Sequence, residues 1–231
     1  MKKVIAISLL SFALSAFGQR ISGPTQHITT QRALPALPAG AFFFEGFESA
    51  QTGVVPTSWS TSSNGDAGFY TGIAGNQANQ ANEKGYWPVP KHTVFAMTND
   101  DVCNCDKSMD FLTSTRIDLR SIPEVYIGFE AFQNGAAGQV AELQVSENGT
   151  DWTTLLTLKT SNQWTDHETR LPSDYLTENF QFRFYYSDQG LYASGLAVDN
   201  IYLRTNSLKR VERKNTYAVN GADSQSITLY E

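Results

Sequence analysis

Val125, Ile127, Phe129 and Ala131 are apolar at every second position, and this period of two returns in three later runs. Ala141, Leu143 and Val145 repeat it. Phe180, Phe182, Phe184 and Tyr186 alternate with Gln181, Arg183 and Tyr185, and Leu196, Val198, Asn200 and Tyr202 alternate with Ala197, Asp199, Ile201 and Leu203. Successive side chains of a strand point to opposite faces, so each run predicts a strand with one face in a core. Asn134-Gly135, Glu147-Asn148-Gly149 and Asp188-Gln189-Gly190 separate the runs and carry turn chemistry. No segment shows the period of an amphipathic helix. Many short strands without helical crossovers predict an all-β chain, an antiparallel β-sandwich or jelly roll with long loops.

The ends of the chain follow other patterns. Lys2 and Lys3 precede an apolar run from Val4 to Phe17, and Ala16-Phe17-Gly18 offers a cleavage point. This is the layout of a secretory signal over residues 1–18. The run is shorter than the roughly 20 residues a spanning helix needs, so no transmembrane segment is expected after cleavage. The mature chain is therefore expected outside the cell, secreted or on its outer surface. Residues 19–41, rich in Thr, Pro and Gln, read as a linker. The folded domain is expected over 42–204, followed by a tail over 205–231.

Composition narrows the function. The 231 residues are 41% hydrophobic and 12% aromatic, enough for a substantial core. The formal charge of −6 becomes −8 without Lys2 and Lys3, and no basic stretch lies in the centre, which argues against nucleic acid as a partner. The segment Asn99–Asp110 concentrates four aspartates (Asp100, Asp101, Asp106, Asp110) and two asparagines. Packed carboxylates repel unless water or a cation screens them, and hard oxygens in this number suit calcium. A solvated acidic turn is the other reading. The segment is not an EF-hand: counted from Asn104, Met109 and Thr115 stand where Gly and Glu are required.

Cys103 and Cys105, the two cysteines, lie within this segment. Export predicts a disulfide between them, and zinc with His92 is the alternative. Tyr86 and Trp87 follow the polar loop Gly75–Asn82; they either stack on a sugar ring or fold back onto the sandwich. Catalytic signatures are missing. His167-Glu168 begins a zinc-protease motif, but Leu171 stands where the second His belongs, and no nucleophile elbow or phosphate loop occurs. A pair of carboxylates acting as a glycoside hydrolase or lyase is the remaining enzymatic alternative.

Four landmarks, taken in order, resemble a known group. They are F-F-E-G-F-E-S-A at 43–50 with Val55-Pro56-Thr57-Ser58-Trp59, and Asp110-Phe111-Leu112-Thr113-Ser114 with Ile117-Asp118-Leu119. Then come Val145-Ser146-Glu147-Asn148-Gly149 with Trp152-Thr153-Thr154-Leu155, and finally Ala197-Val198-Asp199-Asn200-Ile201. Together they are similar to the cleaved-adhesin and MAM-like (choice-of-anchor) jelly-roll domains of secreted bacterial proteins. The resemblance implies a calcium-stabilised jelly roll with Glu48 on the first strand and Asp199 on the last as ligands. Asp110, or Asp100 and Asp101, would add a further arm, and Glu45 is another candidate. The family's Asp-rich run after the Trp is reduced here to Asn64-Gly65-Asp66. The function it implies is non-catalytic: an adhesin or ligand-binding module, or a carbohydrate-binding or accessory domain of a secreted hydrolase. Its partner would be an extracellular protein or glycan.

Overall fold

The computed structural model describes residues 36–65, 68–73, 87, 89–100, 105–135 and 138–206. Eleven strands are present among them: β1 (Ala41–Glu45), β2 (Trp59–Ser62), β3 (Tyr70–Ile73), β4 (Val94–Asn99), β5 (Asp110–Ser114), β6 (Tyr126–Phe132), β7 (Val140–Ser146), β8 (Thr153–Thr157), β9 (Thr165–Arg170), β10 (Gln181–Ser187) and β11 (Gly195–Arg204). The expected signal, most of the expected linker and nearly all of the expected tail lie outside the described residues, as do Tyr86, Asp101 and Cys103.

Two antiparallel sheets face each other. One is five-stranded in the order β2-β5-β10-β7-β8. The other runs β3-β4-β11-β6-β9, with β1 added beside β11. The first and last strands are thus neighbours, with Phe44 opposite Tyr202 and Glu45 opposite Ile201. The alternating runs do what a period of two requires. Ile127, Phe129, Leu143, Val145, Phe180, Phe182 and Phe184 all enter one core between the sheets. Aromatic rings dominate it: Phe182 meets Trp59 edge-on at 5.5 Å and Phe43 at 5.9 Å.

A second, smaller core lies on the outer side of the six-stranded sheet. Phe95 and Met97 of β4, Ala197 of β11 and Phe132 of β6 are covered there by Trp87 and Val89, with Trp164 packed alongside. Nearby on the same face, Tyr202 lies across Gly128. A Cβ at that glycine would sit 2.2 Å from Tyr202 Cζ. Gly128→Ala must push the ring away and is expected to cost about 1–3 kcal/mol, read as a lowered urea midpoint.

One sequence expectation needs correction. The run from Leu196 to Leu203 does not alternate without interruption. The pairing of β11 with β6 slips between Asp199 and Tyr202, and Asn200 adopts φ 50. This β-bulge inserts one residue, so Leu196 and Val198 before it, and Ile201 and Leu203 after it, all face the core. Tyr202, expected on the face of Leu196, turns outward.

Candidate functional site

The bulge coincides with a change of partner. Along one edge, residues 195–198 of β11 pair with β4, and residues 201–204 pair with β1. Asp199 and Asn200 lie at the junction. His92, just before β4, fills it: its Nδ1 is 2.8 Å from Asp199 Oδ2 and its Nε2 contacts Glu130 Oε2, with the imidazole fully buried. The ring packs on Trp164 with centroids 4.1 Å apart. Thr93 Oγ1 donates to Asp199 Oδ2 at 3.1 Å, and the Asn200 amide donates to Asp199 Oδ1 at 2.7 Å. Burial alone would lower the His92 pKa, but the hydrogen bonds and charges of Asp199 and Glu130 outweigh it and raise the value. Burial lifts Asp199 to about 6 against the pull of His92. The His92 imidazole thus ties Glu130 and Asp199 together at this junction. In the sequence His92 stands out only as a zinc partner for the cysteines, because nothing local marks it as a neighbour of Asp199.

The expected calcium ligands are dispersed. Both oxygens of Asp199 are engaged as described. Glu45 accepts from the Phe47 amide at 2.8 Å and from Trp59 Nε1 at 3.2 Å. Asp110 is buried, and its Oδ2 accepts from Lys107 Nζ at 3.1 Å and from Thr98 Oγ1. Asp100 follows the far end of β4: its amide donates to Ser194 O, and its Oδ2 accepts from the Ala193 amide at 2.9 Å. Burial raises the Asp100 pKa. Asp199 lies five positions along the chain from Ser194, about 16 Å of strand, so Asp100 does not serve an ion held at Asp199.

Two oxygens stay without a partner at the closure itself. Glu48 Oε1 and Asn200 Oδ1 are both buried and accept nothing. A Cβ on Gly46, two residues before Glu48, would lie 3.4 Å from Asn200 Oδ1, so the segment after β1 runs past the bulge. Among the described residues, no three His, Cys, Asp or Glu side chains converge as a metal site. Glu48 Oε1 and Asn200 Oδ1, like the equally unpartnered Asp110 Oδ1 on β5, are oxygens of the hard type that calcium takes.

The outer face of the five-stranded sheet has a different character. There Phe111 of β5 stacks on its cross-strand partner Tyr185 of β10, with centroids 5.3 Å apart at 25°. Arg183 lies beside them with its guanidinium carbon 4.0 Å from the Phe111 centroid and 4.1 Å from that of Trp152. Its Nε donates to Gln144 Oε1 at 2.8 Å, and Gln144 and Thr154 both donate to Glu142 Oε2 at 2.7 Å. Burial between the rings lowers the Arg183 pKa to about 10. The turn expected at Glu147-Asn148-Gly149 positions Trp152. Asn148 Oδ1 accepts from the amides of Thr150 and Asp151 at 2.8 and 2.9 Å, and Gly149 takes φ 80. Outward residues of a half-buried strand are ordinarily small and polar. This row instead presents three rings, a guanidinium, amides and hydroxyls together.

Of the two readings for Trp87, a sugar platform or a fold back onto the sandwich, the second describes it: Trp87 is fully buried and stacks on Phe132 with centroids 6.0 Å apart. It belongs to the second core. Phe111, Trp152 and Tyr185 instead form a group of rings around Arg183 on the five-stranded sheet. Cys105 is described without its expected partner Cys103, and the disulfide stays an expectation.

Two facing antiparallel sheets, with the first strand beside the last, define a jelly-roll-type β-sandwich. Solved structures share this fold. The K1 cleaved adhesin domain of Lys-gingipain from Porphyromonas gingivalis W83 matches with TM-score 0.51 at 19% identity, over 71% of this chain and 98% of that one. The K2 cleaved adhesin domain of Lys-gingipain gives 0.48 at 15% identity, over 71% and 97%. TmCBM61, solved in complex with β-1,4-galactotriose, gives 0.46 at 16%, over 70% and 95%. No protein-family model matches the chain, and no curated protein matches it in sequence.

Proposed function

We propose that this chain is an exported, non-catalytic binding module that holds an extracellular ligand, foremost a glycan, on the outer face of its five-stranded sheet. The observation that carries this reading is the Trp152–Arg183–Phe111–Tyr185 row among Gln144, Glu142 and Thr154. Rings contact the apolar face of a sugar, while fixed amides and hydroxyls meet its hydroxyl groups. Trp152→Ala is expected to weaken binding about tenfold or more in a glycan-array or calorimetric assay, with little change in melting temperature. Unchanged affinity in that variant would remove the sheet face from the proposal.

A protein ligand is favoured by a second surface. Leu191 and Tyr192 are exposed beside Asp100, Asp106 and Asp188 at one end of the sandwich, with exposed Met109 on the neighbouring loop. That combination suits an adhesin contact. The Cys103–Cys105 bridge belongs to the same exported setting.

Calcium is proposed as the brace of the β1–β11 closure, held by Glu48 and Asn200 rather than by the Asp199 side chain. Each orphan buried oxygen costs about 1–3 kcal/mol, and a bound cation removes that cost by ligating it. With excess calcium over a chelator, the melting temperature of the full chain is expected to rise by about 5–10 °C, as for a ligand near a hundredfold its Kd. Glu48→Gln and Asn200→Gly, which keeps the positive φ, should each abolish most of that rise. An identical melting temperature in calcium and chelator would refute the site.

A further inference from the structure

The five described arginines divide sharply. Arg120 pairs with Asp118 and Glu178, Arg170 with Glu124, and Arg204 with Glu168. Among the described residues, Arg116 and Arg183 have no carboxylate within ion-pair distance; Arg183 is on β10 and Arg116 stands two residues past β5. In a chain of formal charge −6, carboxylates to pair with them are plentiful, so two bare guanidiniums in one place are informative.

The Arg183 geometry limits what can reach it. Two rings lie within about 4 Å of the guanidinium carbon and Gln144 takes the Nε edge, so among the described residues the two Nη groups remain as its unengaged fork. A planar fork with two parallel N–H donors matches a carboxylate in bidentate fashion, and its orientation is already fixed. Glu142, on the same face, does not neutralise it: its Oε2 is engaged by Gln144 and Thr154, and it forms no ion pair with Arg183. Tyr185 supplies the remaining titratable neighbour. Two residues along β10 stands Gln181. A Cβ on Gly149 would lie 2.4 Å from Gln181 Oε1 and 3.8 Å from Arg116 Nη2, so the second guanidinium flanks the same row at its hairpin end.

We infer that this face takes a carboxylate-bearing glycan, a uronic-acid oligosaccharide, with Arg183 gripping one carboxylate between Phe111 and Trp152 and Arg116 attracting the next acidic sugar. The inference rests on the binding face proposed above and adds its ligand class. The half-buried guanidinium has lost much of its hydration, which makes an anion a better partner for it than water or a neutral hydroxyl pair.

The test is calorimetric titration of the full chain with tetragalacturonate, with neutral β-1,4-galactotetraose and with dextran sulfate, in low and moderate salt. Tetragalacturonate is expected to bind at least about tenfold tighter than the neutral oligomer, and Arg183→Gln to remove that preference. Arg183→Lys keeps the charge but loses the fork, and is expected to lose most of the affinity as well. Arg116→Gln should cost a few-fold and flatten the salt dependence, whereas Arg120→Gln, paired elsewhere, should change nothing. Equal binding of acidic and neutral oligomers, both weakened by Trp152→Ala, would overturn the acidic ligand and leave the binding face standing. Dextran sulfate binding as tightly as tetragalacturonate, with Arg183→Lys unaffected, would reduce the effect to adsorption of polyanions. No binding in any arm would remove both the ligand class and the binding face.

Discussion

Replacing Phe182 by alanine is expected to lower the unfolding free energy by about 3–5 kcal/mol, enough for a shift of roughly 10 °C in melting temperature. Phe182 is fully buried on β10, the central strand of the five-stranded sheet. Its ring meets Trp59 and Phe43 edge-on from one side, and Phe180 and Phe184 along its own strand. Phe43 belongs to β1 in the opposite sheet, so the ring joins the two layers. Truncation removes the transfer free energy of the ring and leaves a cavity walled by rigid aromatics that cannot close it. Phe182→Leu, which fills part of that space, should recover about half of the loss. Urea denaturation of both variants measures this, and a cost below about 1 kcal/mol for alanine would mean that the core relaxes far more freely than close packing allows.

The second large effect concerns pH. His92 has a raised folded pKa, so its contribution is fully present below its unfolded value near 6.5 and is lost as pH rises through the higher folded value. Asp199 is raised from 3.8 to about 6 by burial, so keeping it ionised costs stability as pH climbs through that interval. Both signs agree: Asp199 and His92 each hold their proton to higher pH in the folded protein, so the cluster stabilises less as pH rises, from about 3.8 upward for Asp199 and above 6.5 for His92. Surface pairs such as Glu168 with Arg204 act oppositely at the acidic end, since the Glu168 pKa is lowered. The comparison of wild type with His92→Gln isolates the cluster. The variant is expected to be less stable by about 3 kcal/mol at pH 5, as when one partner of a buried pair is removed. The gap should narrow once pH rises above about 6.5 and through the higher folded value of His92. A gap that is constant or widens with pH would show that His92 is not the cationic partner of Asp199.

Much of this architecture is legible in the chain because strand geometry is local. A period of two assigns faces without knowledge of partners, and the residues at 127–131, 141–145 and 180–186 point where that period sends them. Turn chemistry is equally local: Asn148 closes its own turn through amides two and three residues away. Arg183 could even be placed on an outward face, since it alternates with Phe182 and Phe184. What it meets there could not be read, because Gln144 lies 39 residues away and Phe111 and Trp152 come from two other strands' surroundings.

The tertiary structure alone decided the rest. Trp87 and Trp152 are both aromatic residues beside polar turns, yet one is buried against Phe132 and the other faces outward over Arg183. His92 became the partner of Glu130, 38 residues away, and of Asp199 on the last strand. The bulge at Asn200 reversed the facing of Tyr202, because it depends on how β11 registers against β6 and not on the alternation within β11. The chain's own periodicity therefore determined the strands and their inward faces, since pleat and turn are set within a few residues. The sites were decided by register and strand order, which bring distant side chains together and leave no trace in local spacing.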